Sequence, residues 1–339
     1  MKITIKDIAR MAGVSRATVS KILNNYTDVS EKTRRKVLQI VEETGYQPAF
    51  SAQTLSAKRT NLIGVIYAGN INADLTHPFF VEVVNAFKKQ IGELGYDLLF
   101  FSNEKFRNSQ ENYLARCQYF RLDGCIIING VDIETAITEL DQSDLPCIGV
   151  DIQLTGQKSG FIMTDNRKAS AMVVEHFYLA GYRSIAYISG QRDCDIGNAR
   201  KEGYIQALDQ FGISVREEWI QYGDYREQSG YEAMKHLLKQ RPYPRAVYTA
   251  SDLMAFGAIR AIKEAGLSVP ADVAVIGFDD IHACQYSDPT LTTIRQNKEK
   301  IGKLAAYMLF DLIKNQVQSS NVMVEPELVI RQSCGGRVE

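Results

Sequence analysis

Residues 5–25 read IKDIARMAGVSRATVSKILNN, and their spacing sets a helix, a tight turn and a second helix. Thr4 precedes the first helix with Asp7 three residues on, a pairing in which each side chain can bond the other's backbone N–H. Ile8, Ala9 and Ala12 recur at helical spacing. Gly13 breaks the helix, and Val14 is placed to pack in the turn. Ser15 is a strong start signal, because its hydroxyl accepts from a free N–H of the next turn. Val19, Ile22 and Leu23 give the second helix an inward face. Arg16, Ala17, Ser20, Lys21 and Asn24 are left outward, a short, polar and basic surface without a bulky apolar side chain.

A third helix starts at Ser30, buries Val37, Ile40 and Val41, and stops at Gly45, with Pro48 beyond. Two helices across a glycine turn with a third as brace make the helix-turn-helix plan. The outward face fits a DNA major groove, where Arg or Lys donates to guanine O6 and N7. The competing reading is a three-helix module that docks on a protein, and charge separates the two. Residues 1–60 hold 11 Lys and Arg against 5 Asp and Glu, a balance of +6. Residues 61–339 hold 28 against 35, a balance of −7, and the two sum to the chain's −1. A basic head on an acidic body points to a polyanionic partner.

A chain of 339 residues, 45% hydrophobic, is long enough for two or three domains with their own cores. The first 20 residues lack a secretory apolar segment, and no run approaches ~18 consecutive apolar residues. The expectation is a cytoplasmic protein with no membrane partner. The cysteines at 117, 125, 147, 194, 284 and 334 form no CxxC pair and read as reduced thiols. The four histidines are scattered with no HExxH, so no metal site is expected. A glycine fingerprint after a strand, a P-loop and a nucleophile elbow are all missing. No cofactor and no catalytic residues are expected, which sets aside an enzyme acting on a sugar phosphate or nucleotide.

From residue 61 strand-like and helix-like runs alternate. LIGVIY (62–67), LLFF (98–101), CIII (125–128) and CIGV (147–150) read as strands, with a helix over 79–94 after the first. The alternation restarts after about residue 160 with IAYI (185–188), AVYT (246–249) and VAVIGF (273–278), separated by helices around 167–180, 198–211, 229–239 and 253–265. Such alternation builds parallel sheets covered by helices on both faces, and two successive sets imply two lobes. Ligands in these folds sit beyond the carboxyl ends of strands, here in a cleft between lobes. Asp151, Asp279, Ser251 and Asp252 end or follow strands, and Arg200 sits in the first turn of a helix. Carboxylates and a guanidinium facing one another suit a polyol, and Phe79 and Phe80 offer an apolar face. Taken singly, such an Asp is more often a cap or turn residue, and capping is the reading retained for Asp252 and Asp280.

The headpiece sequence resembles that of the lactose/galactose repressor (LacI/GalR) family, and SEKTRRKVLQIVEETGYQP (30–48) continues the likeness. HPFF (77–80), IGVD (148–151), TDN (164–166), NARKEGY (198–204), TASDLMAFGAI (249–259), VIGFDD from Val275 and DPTLTTIRQ (288–296) extend it through most of the chain. The resemblance implies a small all-α headpiece (1–48), a hinge (49–60) and a doubly wound α/β sensor of periplasmic-binding-protein type (61–339). Its first lobe is expected over about 61–160 plus 292–320, its second over 161–291 plus 321–339. It implies a repressor that binds near-palindromic operator DNA as a homodimer under a small effector; a sugar or sugar acid is expected, and a purine is also compatible with the frame. DNA contacts are carried to Thr4, Ser15, Arg16, Ala17, Thr18, Ser20, Lys21 and Asn24, and in the hinge to Ala52, Gln53 and Leu55. Leu55 would wedge between base steps of the minor groove. Effector contacts are carried to Phe79, Asp151, Arg200, Ser251 and Asp279. Lys21 stands where the family has arginine and lacks its bidentate fork. Ala49, Gln53, His77 and Ser251 also depart from the family pattern. A sugar-binding transport receptor shares the body but not the head. A phosphorylated carrier protein as corepressor stays open as a partner.

Overall fold

The computed structural model describes residues 3–24, 26–46, 59–67, 76–101, 112–128, 135–192 and 194–335. They fall into two compact units, one up to Thr60 and one from Asn61. The first holds α1 (Ile5–Ala12), α2 (Arg16–Leu23) and α3 (Glu31–Thr44). Its starts and stops follow the sequence signals. The Thr4 N–H donates to Asp7 Oδ2 at 3.1 Å, the Thr18 N–H to Ser15 Oγ at 3.0 Å and the Thr33 N–H to Ser30 Oγ at 3.3 Å. Gly13 ends α1 at φ 69°, a left-handed conformation that only glycine enters without a Cβ penalty. Ile8, Ala9, Ala12, Val19, Ile22 and Val37 form the core. Leu23, Ile40 and Val41, read as inward, are only half-buried, because three short helices enclose so small a centre. The hinge residues Ala52, Gln53 and Leu55 lie outside the described residues.

The second unit begins with β1 (Leu62–Tyr67), α4 (Pro78–Glu93), β2 (Asp97–Phe100), α5 (Tyr113–Phe120), β3 (Gly124–Ile128), α6 (Thr135–Asp141), β4 (Cys147–Val150) and β5 (Ser159–Thr164). It continues through α7 (Asn166–Leu179), β6 (Ile185–Ser189), α8 (Asp195–Gln210), β7 (Ile220–Tyr222), α9 (Glu227–Lys239), β8 (Ala246–Thr249), α10 (Asp252–Glu264), β9 (Ala274–Asp279) and β10 (Thr292–Arg295). The last elements are α11 (Lys298–Ile313), β11 (Ser320–Val324) and β12 (Glu327–Val329).

Two six-stranded sheets result. The first runs β2-β1-β3-β4-β5-β11 and is wholly parallel. The second runs β7-β6-β8-β9-β10-β12, parallel except for β12. Central strands of parallel sheets are covered on both faces, which is why GCIII of β3 and AVIGFD of β9 are buried throughout.

The expected lobe boundaries need correction. Residues 159–164 pair in the first sheet, not the second. Residues 292–295 pair with β9 in the second sheet, and 320–324 with β5 in the first. The chain therefore passes between lobes at about residues 165, 296 and 325. The β-branched run Thr292, Thr293, Ile294 fits a buried strand better than the lead-in to a returning helix. α11 then comes back to lie on α4, with Gly302 close against Val83 O and Phe87 N. No helix among the described residues is long and apolar enough to cross a membrane.

Candidate functional site

The predicted operator face is present on α2, and its residues are not equally available. Arg16 and Ala17 are exposed. Ser15 and Thr18 are engaged in the helix cap, with their hydroxyl oxygens 2.9 Å apart. Asn24 Nδ2 donates to Ser20 O at 2.8 Å, tying those two together. Lys21 pairs with Asp28, which also holds the Asp28 carboxyl below its ordinary range. Thr4 is exposed and bonds Asp7 at 2.7 Å, drawing that carboxyl down likewise.

The second unit forms a partly open cavity between its lobes. His77, Phe79 and Phe80 reach it from the start of α4, and Asp151 from the end of β4. Arg200 enters from α8, Asp279 from the end of β9, and Gln296 from the crossover after β10. Phe79 and Phe80 meet edge to face with centroids 5.1 Å apart.

Arg200 is fixed before any ligand arrives. Its Nε donates to Asn166 Oδ1 at 2.7 Å, its Nη1 to Ala250 O at 2.6 Å, and its guanidinium lies 3.6 Å over the Phe278 ring. Asp151 and Asp279 both sit at positive φ, 57° and 122°, costly conformations for residues with a Cβ. Asp279 Oδ1 accepts from Gln296 Nε2 at 2.8 Å. Asp151 Oδ1 and Gln296 Oε1 are buried and find no partner among the described residues. Burial pushes the Asp151 carboxyl up to about 7, with the Asp279 charge adding and Arg200 opposing. Burial also raises Asp279, while His77 and Arg200 pull it down. A buried acceptor without a donor is expensive to leave unmatched, so these two oxygens suit a group that donates hydrogen bonds.

Phe79, Asp151, Arg200 and Asp279 thus converge as expected, and Phe80 joins them. Ser251 does not line the cavity. Its hydroxyl caps α10, accepting from the Met254 N–H at 3.2 Å and donating to Tyr225 O at 3.0 Å. A short side chain directly before a helix is taken up by the free N–H groups there. Nor do Asp252 and Asp280 cap the helices that follow them. Asp252 Oδ1 accepts from Thr293 Oγ1 at 2.5 Å and Oδ2 from the Ile281 N–H at 2.9 Å. Asp280 pairs with Arg295 and Arg331, each at 2.7 Å.

Sequence reasoning missed Ile196, Asp224, Tyr225, Arg226 and Gln296 as lining residues. Gln296 follows a strand end, the same signal that marked Asp151, and the strand itself went unread. Tyr225 lies in a loop with no motif, at φ 66°, with its ring against Gly190, where any Cβ would collide.

Comparison with known proteins accounts for both units. A model described as bacterial regulatory proteins, lacI family, matches residues 4–49, and one for a periplasmic binding protein-like domain matches 174–334. The HTH-type transcriptional repressor PurR of Actinobacillus pleuropneumoniae serotype 3 (strain JL03) is 32% identical over 333 residues, 97% of this chain and 98% of that protein. The chain belongs to the lacI family. The PurR repressor of Serratia proteamaculans (strain 568) is 34% identical, covering 97% of this chain and 96% of its own. Among solved structures, the lac repressor dimer bound to operator and the anti-inducer ONPF matches with a TM-score of 0.85 at 28% identity, covering 98% of this chain and 99% of that one. A complex of the transcriptional regulator CelR with cellobiose matches with a TM-score of 0.73 at 27% identity, over 98% and 99%. This lacI-family protein is a DNA-binding transcriptional repressor, with helix-turn-helix head and two-lobed parallel-sheet body.

Proposed function

We propose that this repressor binds a near-palindromic operator as a homodimer and is controlled by a sugar or sugar acid held between the lobes. The observation that carries the effector reading is the cavity itself. Two buried carboxylates and a fixed guanidinium line it together with an edge-to-face phenylalanine pair. Adjacent hydroxyls donate to a carboxylate and accept from a guanidinium, and the apolar face of a sugar ring rests on aromatic carbon. Two-fold pairing follows from the need to read two half-sites, the arrangement named for the lac repressor dimer. The effector acts only as far as it binds two states of the protein unequally. Arg16 and Ala17, the open part of the α2 face, are proposed to read base edges, with Lys21 joining once Asp28 releases it. Ala52, Gln53 and Leu55 remain proposed minor-groove contacts.

A second reading has its own support. Phe79, Phe80 and Tyr225 line the cavity and could flank a flat heterocycle such as a purine base. One panel decides between them. Thermal unfolding is followed with hexoses, pentoses, sugar acids, disaccharides and purine bases, since a ligand that binds the native state raises its stability in proportion to RT ln(1 + [L]/Kd). Stabilisation by a sugar, lost in Arg200→Ala, is the expected outcome. Stabilisation by purines alone would sink the carbohydrate reading.

A further inference from the structure

Lys298 opens α11 in the first lobe, yet its ammonium serves the second. Nζ donates to the carbonyl oxygens of Asp279 at 2.9 Å and Asp280 at 2.8 Å, and stands 3.6 Å from the Glu82 carboxylate on α4. The side chain is 8% exposed. A cation here is unfavourable on two counts. Burying an ammonium is costly unless its N–H groups are matched. A helix N-terminus also carries the positive end of the dipole, which disfavours lysine at the first position by about 0.3–1 kcal/mol. Packing alone would be better served by a neutral side chain, so the position is explained by what the ammonium holds.

It holds the turn after β9. Asp279 at φ 122° and Asp280 at φ 52° are both in the left-handed half of the map, at a cost of roughly 1–3 kcal/mol each. Asp252 secures the Ile281 N–H, Gln296 bonds the Asp279 carboxylate, and Arg295 and Arg331 bond Asp280. Asp252, Arg295 and Arg331 belong to the second lobe and Gln296 to the crossover. Lys298 is the member of this set that reaches in from a first-lobe helix. Asp279 therefore offers its carboxylate to the cavity while its carbonyl is gripped from the other lobe.

We propose that Lys298 is a positioning residue that couples ligand occupancy at Asp279 to the α4–α11 helix pair of the first lobe. This rests on the cavity being the effector site. Lys298 does not line that cavity, so it acts through the Asp279–Asp280 backbone. The loop closes on itself, because Glu82 and the cavity residues Phe79 and Phe80 share α4. A strained turn contacted by both a ligand group and the opposite lobe is the kind of element whose equilibrium two sites can bias.

The test uses the full-length protein without any ligand, followed by hydrogen–deuterium exchange and mass spectrometry. Lys298→Met removes the charge and the donors and keeps the stem. Exchange is expected to quicken at least about fivefold both in the 279–284 turn and in the 78–88 segment of α4, with other core segments within about twofold. Faster exchange in the turn alone would mean that the lysine merely props it, and no change in either segment would remove the role; both results overturn the proposal. Glu82→Gln weakens only the first-lobe partner and is expected to quicken both segments to a smaller extent. It keeps the test decisive if Lys298→Met does not fold, since an unmoved turn in Glu82→Gln then counts against coupling. Lys300→Met, exposed on the same helix, is the control and should change neither. No effector enters the measurement, so its failure is distinct from failure of the sugar panel.

Discussion

At the scale of single residues, Asp151 is the most informative. It was legible because a polar residue closing an apolar strand is out of place unless something beyond the strand needs it. Asp279 was legible for the same reason, whereas Arg200, inside a helix, was assigned through the family resemblance. Ser251 gave the same signal and proved to be a cap, because a hydroxyl before a helix satisfies both patterns and sequence cannot rank them. The titration of Asp151 yields a prediction with a definite sign. Its carboxyl ionises near 3.8 in the unfolded chain and near 7 in the folded one. Between those values the folded state binds more protons than the unfolded, so this group's contribution to stability falls as pH rises through that window and stays low above it. Asn keeps the shape and tolerates the left-handed backbone that Asp151 adopts at φ 57°. Asp151→Asn should therefore raise the melting temperature of the ligand-free protein at pH 8, by an amount corresponding to a few kcal/mol at most. The gain should shrink steadily and vanish near pH 4, with sugar stabilisation lost at every pH. Melting curves of both proteins across pH 4–8 test this, and a difference that does not vary with pH would contradict it.

At the scale of elements, helices were read better than strands. A helix announces its start and stop by Ser, Asn or Asp before it and Gly after it, and Ser15, Ser30, Gly13 and Gly45 all behave accordingly. The strands β5, β7, β10, β11 and β12 were missed, and length is not the reason, since β4 and β8 have four residues and were read. SGFIMT, IQY, TTIR, SNVMV and ELV break their apolar residues with polar ones or Gly, or are too short to form a run. Glycines inside helices are also ambiguous in sequence and clear in structure. Gly92 in α4 has open space where a Cβ would stand, whereas a Cβ on Gly302 in α11 would meet Val83 O, Ala86 Cβ and Phe87 N. Adding a methyl group in a helix interior is worth about 0.5–1 kcal/mol when nothing opposes it. At Gly302 two of the opposing atoms are backbone and cannot rotate aside, and overpacking of that kind costs about 1–3 kcal/mol. Gly92→Ala should therefore raise the midpoint of urea unfolding slightly, and Gly302→Ala should lower it. If both moved the same way, the α4–α11 contact would not be as close as the structure has it.

At the scale of the whole molecule, the sequence disclosed two units and two lobes, since charge splits at the head and the β–α alternation restarts mid-chain. It did not disclose where the chain changes lobe, because the three crossings occur in short polar connections that look like any other loop. The charge split carries the last prediction. Binding by a basic surface releases counterions from DNA, so affinity falls steeply with salt, roughly as the number of phosphates neutralised. The head balance of +6 is doubled in a dimer, while the body at −7 per chain gives no reason for further phosphate contacts. An operator selected from a randomised duplex pool should lose at least about a hundredfold in affinity between 50 and 200 mM salt. Arg16→Ala should separate recognition from attraction. If Arg16 reads a base edge, its loss costs about 1–3 kcal/mol on the selected site and relaxes the preference at one base pair, with the salt slope nearly unchanged. If it touches only phosphate, selected and random duplexes weaken alike and the slope drops by about one. The first pattern is expected from the exposed place of Arg16 beside Ala17 at the start of α2, the end of a recognition helix that enters the groove. Affinity flat within about threefold over that salt range would remove the electrostatic basis for reading the head as the DNA-binding part.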